Sequence, residues 1–272
     1  TGRFTCETPN LQNVAADDSG KKRVDIPYRP RECFLPRSGF VFYNPDYSQI
    51  EIWVLALLSG DADFINALTG GSDAHEQVAQ AIWGPRKDYE KNKSKYRKLA
   101  KNLQFCMIYG GGDEKVATMI GDGCTVAQAQ EFKAEYNKRL PLVKRFMKSQ
   151  IAQARKTGCV VNPYGRTYAV HPMFAYRSTN YLIQGTAAEI IKNAMVRVFK
   201  ELQRSEEYKG KLYILLTIHD ELMIEVHKSI DCPALIKKVI RAMQADYKFL
   251  GCPVPFPIGF KRVDDRWSNS TT

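Results

Sequence analysis

Residues 211–227 read KLYILLTIHDELMIEVH, and the kind of fold turns on this stretch. Lys211–Ile218 and Leu222–His227 are rich in Ile, Leu and Tyr, and each has the length of a strand rather than a helix. His219-Asp220-Glu221 lies between them and predicts a tight hairpin. Acids and a histidine at the tip of a hairpin between two apolar strands are unusual, because such turns are normally made by Gly or Asn.

Working outward, Phe40–Asn44 is another apolar run and predicts a strand, with Asp46 just past its end. Ser48 to Leu58 predicts a helix stopped at Gly60. Residues 1–39 carry many Pro, Asn, Asp and Gly and predict loops with short strands. Residues 61–165 read as mainly helical. Ser94–Tyr109 is a helix there, with Asn92 as its cap and Gly110–Gly112 ending it. Thr125 and Gln128 fit a capping box for a further helix. Pro141 breaks or kinks that helix, and a second segment runs to about Lys156. Gly185–Gln203 reads as one more helix. The order strand, helices, helix, hairpin predicts a mixed α/β (α+β) fold rather than repeating βαβ units. It divides the chain into 1–60, 61–165 and 166–272.

Composition narrows the partners. Of 272 residues, 44% are hydrophobic and 25% charged, which is ordinary globular composition. Lys and Arg number 40 against 29 acids, a net +11, which favours a polyanionic partner such as nucleic acid. The seven cysteines form no CxxC pair, which argues against a zinc site or disulfide framework and for a reducing compartment. The longest apolar runs, Ile52–Leu58 and Leu212–Leu216, are too short to span a membrane. The chain begins at Thr1 and shows no signal peptide, so a trimmed fragment of an intracellular protein is expected.

Two features carry chemistry. Asp46 and Asp220 each terminate an apolar strand, where a carboxylate projects from a rigid edge. Brought together they repel unless a cation lies between them, and a hard divalent ion prefers carboxylates, phosphates and water. Taken alone, each Asp is better explained as a turn former. The second feature is the helix 94–109, where Arg97, Lys101, Phe105 and Tyr109 are spaced by four. Four residues advance about 6 Å and drift about 40°, so neighbours in this series share a face. Cations at one end suit a polyphosphate, and rings at the other suit a base or sugar. The stretch 86–101 holds eight Lys or Arg against Asp88 and Glu90, a net +6. A solvated basic helix with its rings in the core explains Phe105 but not the shared stripe. Metal ligands, cations and a ring together are the parts of a phosphoryl-transfer site.

These residues resemble a family. Asp46-Tyr47-Ser48-Gln49-Ile50-Glu51 is similar to motif A of family A DNA polymerases, the family of bacterial DNA polymerase I, with phage or viral members included. Arg97-x3-Lys101-x3-Phe105-x3-Tyr109-Gly110 resembles motif B, and His219-Asp220-Glu221 resembles motif C. Thr1-Gly2-Arg3 with Pro9-Asn10-Leu11-Gln12-Asn13 resembles the segment touching primer–template. Asp73-Ala74-His75 resembles a site where a His meets the triphosphate. Asn180-x3-Gln184-Gly185-Thr186-Ala187 resembles the segment that reads the minor groove. The resemblance runs from Thr1 to about Trp267.

The resemblance implies an antiparallel palm sheet flanked by helices (1–60 and 166–272) and a mainly helical fingers subdomain (61–165). It implies template-directed DNA synthesis, with nucleotidyl transfer from a dNTP to a primer 3′-hydroxyl and release of pyrophosphate. Two Mg²⁺ ions would be held by Asp46, Asp220 and the backbone carbonyl of Tyr47. Arg97, Lys101 and His75 would hold the triphosphate, with Lys101 also protonating pyrophosphate. Gln49 would line the nucleotide site, Glu51 would crowd the sugar 2′ position, Phe105 would lie under sugar and base, and Tyr109 near the templating position. Arg3, Asn10, Gln12, Asn180, Gln184 and His219 would face DNA, and Glu221 either buttresses the hairpin or acts directly.

Arg177 departs from the pattern: the family often has an Arg four residues before the Asn, where this chain has Tyr176. Primer–template DNA and dNTPs are the expected partners, with processivity or replisome factors as further candidates and no membrane. The expected location is cytoplasmic or nucleoid-associated, the host cytoplasm for a phage protein, with an organelle also open. The thumb and any nuclease domains would lie upstream, so the isolated segment is expected to have low activity and poor processivity. Two other readings compete: a single-subunit RNA polymerase-like enzyme, against which Glu51 argues, and a non-catalytic nucleic-acid-binding remnant.

Overall fold

A computed structural model describes residues 1–14, 30–121, 123–230 and 232–267. The chain folds into two compact units, one formed by Thr1 and residues 51–186, the other by residues 2–50 and 187–272.

The second unit is built on a four-stranded sheet of order β4-β5-β1-β6, antiparallel at every pairing. Its strands are β1 (Phe40–Tyr47), β4 (Leu212–Ile218), β5 (Glu221–His227) and β6 (Ile258–Val263). Residues alternate between faces along a strand. Phe42, Asn44 and Asp46 therefore share one face of β1, and Glu221, Met223 and Glu225 lie on the same face of β5 through the pairings Phe42↔Glu225 and Asp46↔Glu221. The apolar part of this face packs as a core of Phe42, Ile218, Met223, Val263 and Trp267. The other face carries Tyr47, whose hydroxyl donates to the carbonyl of Met243. Met243 belongs to helix α9 (Cys232–Gln244), whose buried Leu235, Val239 and Met243 recur at four-residue spacing.

The sheet and the segment before it differ from the sequence reading at three points. Strand β1 does not stop at Asn44 but continues through Pro45 to Tyr47. Pro45 has no N–H to donate, yet the strand pairs with β6 as far as Tyr47↔Ile258. The turn between β4 and β5 consists of His219 and Asp220 alone, and Glu221 already pairs with Ile218 and Asp46. The described residues before Phe40 hold two short 3₁₀ turns, Leu11–Asn13 and Pro30–Cys33, and no strand.

The first unit is mainly helical. It holds most of α1 (Ile50–Ser59), then α2 (Ala62–Thr69), α3 (Ala74–Trp83), α4 (Lys93–Ile108), α5 (Asp113–Ile120), α6 (Val126–Arg139) and α7 (Pro141–Thr157). A small hairpin of β2 (Cys159–Val161) and β3 (Thr167–Ala169) follows. Thr125 and Gln128 form a reciprocal capping box, and Pro141 opens α7 in its first turn, where a missing N–H costs nothing. Asn92 precedes α4 without capping it; its amide donates instead to the backbone and side chain of Asp88. Helix α8 (Ser178–Arg197) starts seven residues before the predicted Gly185 and continues as a π-helical segment, Val198–Gln203. It runs covalently from the first unit into the second.

Candidate active site

In the sheet unit, Asp46 and Glu221 are directly opposed across β1 and β5. The N–H of Tyr47 donates to the carbonyl of Asp220 at 3.2 Å, which ties the hairpin turn to the residue after Asp46. Three carboxylates thus gather at one end of one sheet. Like charges directly opposed in a sheet are unfavourable. Burial first, then the charges of Asp220 and Glu221, push the Asp46 carboxyl up to about 7, with Lys261 opposing. Glu221 is also raised, chiefly by burial, and is opposed by the amide of Asn44, which donates to its Oε1, and by Arg31 and Lys261. Asn44 is itself buried, so one oxygen of Glu221 is already committed to the fold.

Carboxylates gathered at this cost fit a hard divalent ion completed by water and phosphate oxygens. Among the described residues no group of three or more His, Cys, Asp or Glu side chains forms a ready metal cage. Asp46 and Asp220 would therefore supply part of a coordination shell, not all of it. The side chain of Tyr47 is buried and bonded to Met243, so only its backbone is left for a ligand role.

The turn residue His219 has φ +56°, a left-handed conformation uncommon for a residue with a side chain. It lines a cleft with Arg3, Phe4, Gln12, Lys192 and Thr217. Gln12 donates through Nε2 to the carbonyl of Thr217 at 3.0 Å, and Asn10 accepts from the N–H of Gln12 at 3.1 Å. These two amides brace the N-terminal 3₁₀ turn against β4, while Arg3 and Lys192 give the cleft its positive charge. Gln49 also has a positive φ, +58°, and its Oε1 is buried with no hydrogen-bond partner among the described residues.

In the helical unit, α4 displays the expected stripe. The Lys101 Nζ lies 5.9 Å from the Phe105 ring centre, and the rings of Phe105 and Tyr109 are 6.0 Å apart. Tyr109 donates its hydroxyl to Glu51 Oε2 at 3.2 Å, and Glu51 is buried in the first turn of α1. His75, on α3, lies 6.0 Å from Phe105, ring centre to ring centre, so the stripe recruits a neighbour from another helix. His75 is 2% exposed, and its Nδ1 pairs with Oε1 of the fully buried Gln104. Because Oε1 can only accept, Nδ1 carries the proton. Burial, partly offset by this bond, holds His75 below the ordinary imidazole range. Arg97 is bound by Asp73, the N-cap of α3. Gln104 has no counterpart in the sequence reading, and Asp73 stands there only as part of Asp73-Ala74-His75, without a role of its own; its N-cap position beside His75 was the available signal.

On α8, Asn180 and Gln184 are four apart and half-buried on one face, and Asn180 Oδ1 is buried without a hydrogen-bond partner among the described residues. Arg177 donates from Nε to the Tyr176 hydroxyl at 3.2 Å and lies 4.6 Å from the Phe174 ring centre. Tyr176 in turn packs on Gly110, at whose position a Cβ would come within 2.9 Å of its ring.

The profile of the family described as DNA polymerase family A matches residues 1–268. DNA polymerase I of Borreliella burgdorferi is 33% identical over 270 residues, covering 93% of this chain and 27% of the relative. The thermostable DNA polymerase I of Thermus aquaticus is 30% identical over 270 residues, covering 95% of this chain and 30% of the relative. The chain thus spans under a third of the length of these relatives. A solved structure of the POL domain of Pol1 from M. smegmatis, in complex with DNA primer-template and dNTP, superposes with a TM-score of 0.84 at 27% identity. It covers 98% of this chain and 46% of that one.

Proposed function

The chain belongs to DNA polymerase family A, and on this ground we propose that the protein carries out template-directed DNA synthesis. The observation that carries the reading is the cluster of Asp46, Asp220 and Glu221 at one sheet end. Folding alone gives no reason to gather these charges, whereas a reaction on phosphates does. The residues 1–60 and 166–272 would be the palm and 61–165 the fingers.

Asp46 and Asp220, with the Tyr47 carbonyl, would hold two Mg²⁺ ions, which when bound activate the primer 3′-hydroxyl and stabilise the leaving pyrophosphate. The chain's own groups bind and orient. Arg97, Lys101 and His75 take the triphosphate. A bond forms to the α-phosphorus from the primer 3′-oxygen, whose proton passes to water, and the bond from that phosphorus to pyrophosphate breaks. Lys101 gives a proton to the pyrophosphate oxygen. Glu51, fixed by the Tyr109 hydroxyl, fills the space a ribose 2′-hydroxyl needs; Phe105 supports the sugar and base, and Gln49 lines the same site. Tyr109 stands at the templating position. Arg3, Asn180 and Gln184 meet the minor groove, where acceptors are nearly sequence-independent, and Asn10, Gln12 and His219 support the primer strand. Primer–template DNA and dNTPs are the partners, with a cytoplasmic or nucleoid-associated location.

Asp220→Ala in the complete natural protein tests this. Primer extension should fall by about a hundredfold or more with DNA binding kept. Unchanged extension would sink the assignment and favour a non-catalytic nucleic-acid-binding role. Glu51→Ala separates the RNA polymerase alternative: discrimination against ribonucleotides should weaken, whereas equal use of both sugars by the unaltered protein would remove the gate.

A further inference from the structure

Asp73 divides its carboxylate between two tasks. Its Oδ1 accepts from the backbone N–H groups of His75 at 2.9 Å and Glu76 at 3.0 Å, capping α3. Its Oδ2 accepts from Nε at 3.0 Å and Nη2 at 2.5 Å of Arg97, on α4. A guanidinium has five N–H donors in a planar fork. The pairing uses one edge of that fork and leaves three donors over, while the Arg97 side chain remains 44% exposed. Helices α3 and α4 are bridged separately by buried His75 and Gln104. The contact between the two helices therefore does not rest on the ion pair alone. What it does constrain is the orientation of a long side chain that would otherwise sample many rotamers.

We propose that Asp73 is a positioning residue for the incoming nucleotide: it clamps one edge of the Arg97 guanidinium so that the remaining N–H donors are ordered for the phosphate oxygens. This rests on the nucleotidyl-transfer reading of the Arg97–Tyr109 stripe. A carboxylate beside a phosphate-binding arginine could instead compete with the phosphate. The count of donors favours orientation over competition, since the pairing leaves most of the fork unused.

The substitution Asp73→Asn separates the two tasks, because an amide oxygen still caps α3 but no carboxylate remains for Arg97. In the complete natural protein, dNTP KM and kcat are measured on primer–template for Asp73→Asn, Arg97→Ala and the double variant. Asp73→Asn should raise KM about three- to tenfold, the scale of ordering one long side chain, with kcat within about twofold. Asp73→Ser, which also caps, should behave alike, so that a folding defect of one variant does not decide the matter. In the Arg97→Ala background Asp73→Asn should add nothing, since the two act as a unit. A lowered KM would mean competition and overturn the proposal. So would an unchanged KM in Asp73→Asn while Arg97→Ala raises it, or full additivity in the double variant. An Arg97→Ala variant with unchanged KM would instead overturn the nucleotide-binding reading of the stripe itself, and this proposal with it.

Discussion

Asp46 lies across the sheet from Glu221 and next to the residue tied to Asp220, and its carboxyl is pushed up from 3.8 to about 7, first by burial and then by those charges. A carboxyl with a raised pKa in the fold binds a proton more tightly there than in the unfolded chain. Its contribution to stability is therefore present below the unfolded value and is lost as pH rises through about 7. In metal-free protein, Asp46→Asn removes that loss. The variant should melt about 2–4 °C above the unaltered protein at pH 8, the effect of roughly 1 kcal/mol in a domain of this size, and show no such gain at pH 4. Adding Mg²⁺ at pH 8 should raise the melting temperature of the unaltered protein more than that of the variant. Calorimetry with and without chelator checks both. Equal melting at pH 8 would mean that neither burial nor the neighbouring charges destabilise the ionised Asp46 carboxylate. The acids and their strand-end positions were legible in the sequence. Their mutual distance was not, and neither was the grip of Asn44 on Glu221, which depends on strand pairing.

Helix α8 brings backbone and ring together at Gly185. A Cβ there would stand 1.9 Å from the Tyr168 hydroxyl oxygen and 2.4 Å from the ring carbon bearing it. Tyr168 is buried in a cluster with Val160, Val170 and Leu182, and its hydroxyl accepts from Asn162 at 3.2 Å, so the ring has little room to retreat. Alanine favours a helix over glycine by about 1 kcal/mol. Overpacking costs about 1–3 kcal/mol, and with a packed ring as the obstacle it should win. Gly185→Ala should thus lower stability to urea, and it should cost less when made in a Tyr168→Ala background, where the ring is gone. A stabilised Gly185→Ala would show that the ring gives way freely.

Element ends set by local chemistry were readable in advance: the Thr125–Gln128 box, Pro141 opening α7 and the glycines after α4. Ends set by neighbours were not. Strand β1 outlasts Pro45 because β6 pairs beside it, and α8 begins at Ser178 although its first turns carry several polar residues.

For the molecule as a whole, a net charge of +11 suits a polyanion, and 86–101 holds much of the excess. Affinity of the complete protein for primer–template should fall linearly with salt on logarithmic axes. Each lysine among Lys91, Lys95 and Lys98 that meets a phosphate should reduce the slope by about 0.9 when replaced by alanine. Arg97→Ala and Lys101→Ala should change dNTP KM and leave this slope alone. A reduced slope in those two variants would assign the stripe to DNA rather than to nucleotide. Titrations at several salt concentrations read both.

The sequence by itself determined the α+β class, the apolar strands and the identity of the acids and cations, because periodicity, turn chemistry and four-residue spacing are local properties. The tertiary structure decided which of them meet. Asn44 and Glu221 are 177 residues apart in the chain, and Asp73 and Arg97 lie on different helices. Period-two alternation fixes which residues of β1 share a face, but the register with β5 is a property of the pair. A slip of one residue would turn Asp46 away from Glu221 to the opposite face, with every local feature of its own strand unchanged.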